Sequence, residues 1–178
     1  MQRASCTSKQ NECRQEKLLS HQEARKGALY IDGLNLIITL EVALSNSILI
    51  LGNDGCIRDM AGLRGTYRLI DKTQKALQLI GKALNELEVS YCKFFLDSSV
   101  SNSGRLKYAI LQHAEGWGIP IEVELVPNPD RLLSNLESVV TSDSVILDSC
   151  ISWINLSKMI IEEYIKDARI IDLSGKAF

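Results

Sequence analysis

From residue 28 onward, short apolar runs alternate with longer stretches whose apolar positions recur every three and four residues. Runs of four to eight apolar residues bounded by turn signals predict strands, and the longer periodicity predicts helices. The pattern predicts strands at 28–32, 48–51, 91–96, 119–126, 137–142 and 168–173. It predicts helices at 34–44, 66–88, 105–115 and 149–166. Gly52, Asn53, Asp54 and Gly55 form the strongest turn signal, and Pro127, Asn128, Pro129 and Asp130 stop the strand before them. Residues 98–104 read as a loop of small, largely polar residues.

Strands separated by helices imply helical crossovers, and these make parallel neighbours. The expected fold is therefore α/β, a three-layer sandwich around a mainly parallel sheet, occupying residues 28–178. Residues 1–27 show almost no apolar periodicity beyond Leu18 and Leu19. They hold six Lys or Arg against three Glu and read as a polar, basic segment, a solvated helix that the domain does not need in order to fold.

Composition narrows the class. The chain has 178 residues, 46% of them hydrophobic and 24% charged, which excludes extended disorder and fits one globular domain. No apolar run reaches the roughly 18 residues of a membrane span, and the N-terminus lacks the apolar core of a secretory signal. A cytoplasmic location is the expectation. The five cysteines (Cys6, Cys13, Cys56, Cys92 and Cys150) contain no CxxC pair and suggest reduced thiols. Two histidines, His21 and His113, exclude a three-histidine metal site within one chain, and His113 reads as half-buried. There is no GxSxG, Walker A or GxGxxG motif, and no Cys with a plausible His partner.

Ligands of parallel α/β sheets bind at the carboxyl ends of the strands. Three predicted strands lead into Asp32, Asp97 and Asp143. Any one of these is explained by a helix cap or a turn. Three on one edge suggest a shared acidic site, whose mutual repulsion a hard divalent cation such as Mg²⁺ or Mn²⁺ relieves. Such an ion activates water and stabilises charge on a phosphodiester. A fourth carboxylate is expected from Asp54, Asp59 or Asp148. Asp54 sits in a turn that explains it, Asp59 is the better candidate, and Asp148 is either a further metal ligand or a cap.

The sequence IDGLN at 31–35 resembles the opening motif of the PIN-like nucleases, especially their NYN branch, and VVTSDS at 139–144 resembles a later acidic strand end of that superfamily. More closely, residues 28 to about 173 resemble an uncharacterised prokaryotic domain-of-unknown-function family. The resemblance rests on IDG-N, on RD-AG--G-YR at 58–68, on LD--VSNSGR at 96–105, on VPNPD at 126–130 and on SDSVILD at 142–148. Members of that family have a small helical domain in front, of which residues 1–27 would be a remnant. The PIN-like resemblance implies Mg²⁺- or Mn²⁺-dependent cleavage of RNA, with metal held by Asp32, Asp97 and Asp143 and the first carboxylate oriented by Asn35. The superfamily's helical acid after the first strand has Asp59 as its nearest counterpart.

Two loops have functional readings. Ser101, Asn102, Ser103 and Arg105 offer hydroxyls, an amide, a helix start and a guanidinium, the parts of a phosphate cradle. The competing reading makes Ser103 a helix N-cap. Arg58, Arg64, Tyr67 and Arg68 could clamp and stack a nucleotide, or form a solvated helix face. The functional expectation is a metal-dependent ribonuclease acting on RNA, with single-stranded DNA a lesser candidate and homo-oligomerisation left open. The rivals are a non-catalytic nucleic-acid-binding module and a small-molecule phosphohydrolase or nucleotide-binding protein.

Overall fold

The computed structural model describes residues 6–61 and 65–175. In chain order the elements are α1 (Ser8–Lys17), α2 (His21–Ala24), β1 (Ala28–Asp32), α3 (Gly33–Leu44), β2 (Ile48–Leu51), β3 (Ile57–Asp59), α4 (Asp71–Glu86) and β4 (Tyr91–Asp97). These are followed by α5 (Ser103–Ala114), β5 (Ile121–Val126), α6 (Pro129–Leu133), β6 (Val139–Val140), α7 (Ser144–Ser149), β7 (Trp153–Ile154), α8 (Leu156–Tyr164) and β8 (Arg169–Asp172).

The central sheet has five strands in the order β5-β4-β1-β6-β7. Every pairing in it is parallel. Helices flank it, as the α/β sandwich reading expects. β1 is central because Leu29 and Ile31 are fully buried and both of its edges are paired. From β1 the chain builds outward through β4 to β5, then returns to the other side of β1 with β6 and β7. The strand order therefore reverses between β1 and β6.

A second, three-stranded sheet orders as β3-β2-β8. β2 and β3 form an antiparallel hairpin, and Gly55 at φ +79° supplies the left-handed residue of its turn. The predicted final strand does form, but it joins β2 here rather than the central sheet.

α3 lies between the two sheets. It packs on β2 and β3 on one side and on β1 and β4 on the other, which is why Leu36, Ile37, Leu40 and Ala43 are all buried. A Cβ on Gly33 would stand 2.6 Å from Leu96 Cδ2, so the glycine after Asp32 is what lets α3 start tight against β4.

Two helices depart from expectation. The helix predicted at 66–88 begins only at Asp71, because Thr66 forms a β-bridge with Ser101 and the Tyr67 N–H donates to the Ser101 carbonyl. The helix predicted at 149–166 is broken into α7, β7 and α8. Trp153 is fully buried beside β6, and its indole N–H donates to the Arg14 carbonyl at 2.7 Å. Pairing Val139 with Trp153 and Val140 with Ile154 outweighs helical continuity there.

The amino-terminal segment is not a merely solvated helix. Arg14 of α1 is 1% exposed, and Ala24 of α2 is buried. His113 is half-buried and Trp117 is in the core, as expected. The five cysteines are free thiols, with Cys56, Cys92 and Cys150 buried. No helix among the described residues is long and apolar enough to cross a membrane.

Candidate functional site at the carboxyl edge of the sheet

Because β4, β1 and β6 are adjacent and parallel, their carboxyl ends share one edge. Asp32 pairs in register with Phe95, two residues before Asp97. Ile31 pairs with Val140, three residues before Asp143. The three aspartates therefore lie along the edge where the strand order reverses, the position at which open parallel sheets bind ligands.

The three do different local work. Asp32 occupies the N-cap position of α3 but makes no side-chain cap bond. Its Oδ2 accepts instead from the Thr141 hydroxyl at 3.0 Å. Burial raises the Asp32 carboxyl to about 7, nearby Asp130 and Asp143 add to the rise, and bonds from Thr141 and the Asn35 backbone oppose it. Asp97 Oδ1 accepts from the Ser99 N–H at 2.8 Å, a local turn. Asp143 caps α7 through Oδ1, which accepts from the Val145 N–H at 2.8 Å and the Ile146 N–H at 3.4 Å. Capping thus engages Asp143 directly, whereas at Asp32 the Asn35 N–H is the smallest of the influences and Thr141 is the main partner.

A fourth acid belongs to this edge, and it is Asp130, which the sequence reading treated only as part of a strand stop. α6 folds back over the ends of β1 and β4. It starts with Asn128 accepting from the Arg131 N–H and with Pro129 in its first turn. The Asp130 side chain remains open to solvent, yet partial burial and then the charges of Asp143 and Asp97 raise its carboxyl. Among the described residues, no three His, Cys, Asp or Glu side chains are gathered closely enough to hold one ion together.

Thr141 connects the acids. Its hydroxyl donates to Asp32 and accepts from the Asp143 N–H at 3.0 Å. Asn35 does not orient Asp32 with its side chain, as the resemblance implied. Its Oδ1 accepts from the Ser142 N–H at 2.9 Å and the Ser142 hydroxyl at 3.0 Å, tying α3 to the segment that carries Asp143.

Beside Asp143 opens a cleft of about 280 Å³, lined by Asn35, Arg58, Asp59 and residues 142–145. Asp59, the expected fourth acid, lines this cleft. It accepts from the Thr39 hydroxyl at 3.0 Å and the Ala61 N–H at 2.9 Å.

Arg58 is buried and held by three hydrogen bonds, so it is not part of a solvated helix face. Its Nη1 and Nη2 donate to the two oxygens of Asp54 at 2.9 and 2.6 Å, and its Nε donates to the Ser142 carbonyl at 2.8 Å. Asp54 also takes Arg14 Nη1 at 2.5 Å, and Arg14 Nη2 donates to the Ser144 carbonyl at 3.3 Å. Burial pushes Asp54 up, but its bonds to Arg58 and Arg14 outweigh this and hold it below the usual carboxylate range. One carboxylate thus joins two arginines that grip the carbonyls on either side of Asp143.

Asp148, the other expected metal ligand, belongs to that grip. Its Oδ1 accepts from Arg14 Nε at 2.7 Å and its Oδ2 from Gln10 at 3.0 Å. Both oxygens thus face α1. Of the remaining expected residues, Arg64 lies outside the described residues. Tyr67 is buried, and its hydroxyl donates to Glu41.

The 101–105 loop is tied inward. The Ser101 N–H donates to the Gly65 carbonyl, and Asn102, in the left-handed region at φ 70°, donates from its side chain to the Tyr67 carbonyl. Ser103 is the first residue of α5 rather than its N-cap, and its hydroxyl donates to the Asp97 carbonyl at 2.7 Å. Arg105 is exposed.

Residues 21–159 match the model of a family described as a domain of unknown function, DUF5616. The chain belongs to that family. It is also similar to the uncharacterised protein MJ0935 of Methanocaldococcus jannaschii, at 32% identity over 147 residues, which span 83% of this chain and 70% of that protein. No solved structure matches the chain. The family match begins after Arg14, so the helix that grips the Asp143 segment lies outside it.

Proposed function

We propose that this protein is a Mg²⁺- or Mn²⁺-dependent ribonuclease of PIN/NYN-like type, working at the acidic edge around Asp32 and Asp143. The observation that carries the reading is Asp32. It sits where the strand order reverses, has no cationic partner among the described residues, and is raised to about 7 by burial and by neighbouring carboxylates. A buried acid held by a hydroxyl rather than by a cation is costly to the fold when charged and is a functional-site candidate on physical grounds.

The donors are all oxygens, which suits a hard cation. Mg²⁺ keeps several waters and takes one or two carboxylates, so Asp32 and Asp143 suffice without a closed cage, with Asp130 and Asp97 adding negative field. When bound, the ion supplies an activated water and neutralises charge developing on the phosphodiester. The chain's own residues do the rest. Thr141 fixes one oxygen of Asp32, leaving the other for the ion or a proton. The two arginines and Asn35 hold the Asp143 backbone in place, and Asp59 and Asn35 border the cleft. Water would attack phosphorus in line, losing a proton to solvent, as the bond to the leaving ester oxygen breaks and that oxygen takes up a proton from solvent.

A second reading, a non-catalytic nucleic-acid-binding module, is favoured by one observation: Asp97 and Asp143 each spend an oxygen on a local backbone N–H. One experiment separates the two. Mn²⁺ is titrated calorimetrically into the wild type and into the Asp32→Asn and Asp143→Asn variants, and each protein is assayed on single-stranded RNA and DNA with and without EDTA. Metal-dependent cleavage lost in both variants supports the nuclease. RNA binding without metal uptake or cleavage supports the module.

A further inference from the structure

Six residues beyond Asn35 on α3, Glu41 is buried and has no cationic partner among the described residues. It is 6% exposed, and the hydroxyls of Tyr67 and Thr73 both donate to its Oε1. Those hydroxyls also lie 3.1 Å from each other, so they form a closed set around one oxygen. Two donors fill the lone pairs of Oε1. Oε2 takes part in none of these bonds. That leaves Oε2 as the carboxylate oxygen available to a ligand.

Glu41 lines a pocket of about 230 Å³. Ile38, Val42 and Ile70 form its apolar wall, and the exposed Arg68 borders it. The volume is below the roughly 300–1,000 Å³ of sites for drug-sized ligands and suits a single ring system. Ser45, Ser47, Thr66 and Tyr67 line the pocket as well, and an apolar wall beside a carboxylate held in place by Tyr67 and Thr73 suits a planar group that presents N–H donors.

The pocket neighbours the cleft. Asn35 lines the cleft, while Ile38, Val42 and Ser45, at spacings of three and four on the same stripe of α3, line the pocket. Across from α3, Asp59 lines the cleft and Ala61 the pocket. At 1.5 Å rise per residue, Asn35 and Glu41 are about 9 Å apart along the helix, the scale of one nucleotide.

We propose that this pocket is a guanine-binding subsite in which Glu41 Oε2 reads the base. The Watson–Crick edge of guanine carries two adjacent donors, N1–H and N2–H, both of which a carboxylate oxygen can accept. Adenine and cytosine set a ring-nitrogen lone pair beside their single amino group, and uracil flanks its N3–H with carbonyls. Each of these turns an acceptor toward the carboxylate and is disfavoured. The pocket's place beside a cleavage site rests on the nuclease reading; its preference for guanine does not.

The test is calorimetric titration of GMP, IMP, AMP, CMP and UMP, separately, into the full chain in EDTA. GMP is expected to bind about tenfold to a hundredfold more tightly than AMP, CMP or UMP, the discrimination of a good paired contact, with IMP between because it lacks the 2-amino group. Glu41→Gln keeps an oxygen to accept from Tyr67 and Thr73 but turns an NH₂ donor toward the pocket, and it should abolish the guanine preference. Val42→Phe fills the pocket and leaves Glu41 in place; it should remove binding of every base, and thermal melts check that both variants fold. Equal binding of all the nucleotides, no binding, or a guanine preference that survives Glu41→Gln in a folded protein overturns the proposal. Guanine preference without RNA cleavage in Mn²⁺ leaves the subsite standing and removes the nuclease, whereas cleavage without base preference does the reverse.

Discussion

Replacing Asp32 by Asn should make the metal-free protein more stable at neutral and alkaline pH. Only 9% of Asp32 is exposed, and its carboxyl is raised from 3.8 to about 7. Between those pH values the folded protein retains a proton that the unfolded chain has released, so stability falls as pH rises through the window and levels off above it. At about 1.4 kcal/mol per tenfold change in proton affinity, the charged side chain costs the fold about 4 kcal/mol above pH 7. Asn is close to Asp in size and its oxygen still accepts from Thr141, while its NH₂ needs a new partner, so the net gain at pH 8 is about 2–4 kcal/mol. The assay is urea unfolding followed by circular dichroism from pH 5 to pH 8, with the variant subtracted from the wild type to remove other titrating groups. Added Mn²⁺ should stabilise the wild type by mass action and leave the variant unmoved. A variant less stable than the wild type at pH 8, or a difference that stays constant across the range, would refute the reasoning.

Asp143→Asn should change stability by less than about 0.5 kcal/mol, because Asn caps α7 nearly as well as Asp, while removing metal-dependent cleavage; chemical denaturation and an RNA assay check the two halves separately. Arg14→Ala leaves Asp148 without its arginine and Asp54 with one cation instead of two, and should cost about 3 kcal/mol in urea unfolding, with Arg14→Lys recovering only part of the loss. Arg105→Ala should leave the melting temperature unchanged, since the side chain is exposed, and reduce the salt slope of RNA binding by about one.

Much of the architecture was legible. The apolar runs of β1 and β2 mark their own ends, and the acidic edge follows from reading what terminates parallel strands. Helical periodicity could not reveal the break at Trp153, because Ile151, Ile154 and Ile161 repeat as a helix would while Trp153 pairs beside β6. Asp130 was hidden by its own neighbours. Two prolines read as the end of a strand, and only the fold-back of α6 over β1 and β4 brings the carboxylate to the site. Arg14 was invisible for a different reason. Hydrophobic patterning marks residues that leave water because they are apolar. It cannot mark a cation that leaves water because two carboxylates, 40 and 134 positions away, surround it. Asp54 and Asp148 were weighed as ligands for an ion, and the cation they hold belongs to the chain.

The grip of Arg14 also sets an order of events in folding. α1 is ten residues long, too short to persist alone in water, and its anchors are Asp54 and Asp148. During synthesis from the amino terminus, α1 leaves the ribosome long before α7 and must wait for almost the whole domain before its last anchor exists. Closing so long a loop costs entropy that is recovered only once the central sheet has brought α7 into position. α1 is thus among the last of these elements to dock, and the backbone around Asp143 gains its second arginine only at that step.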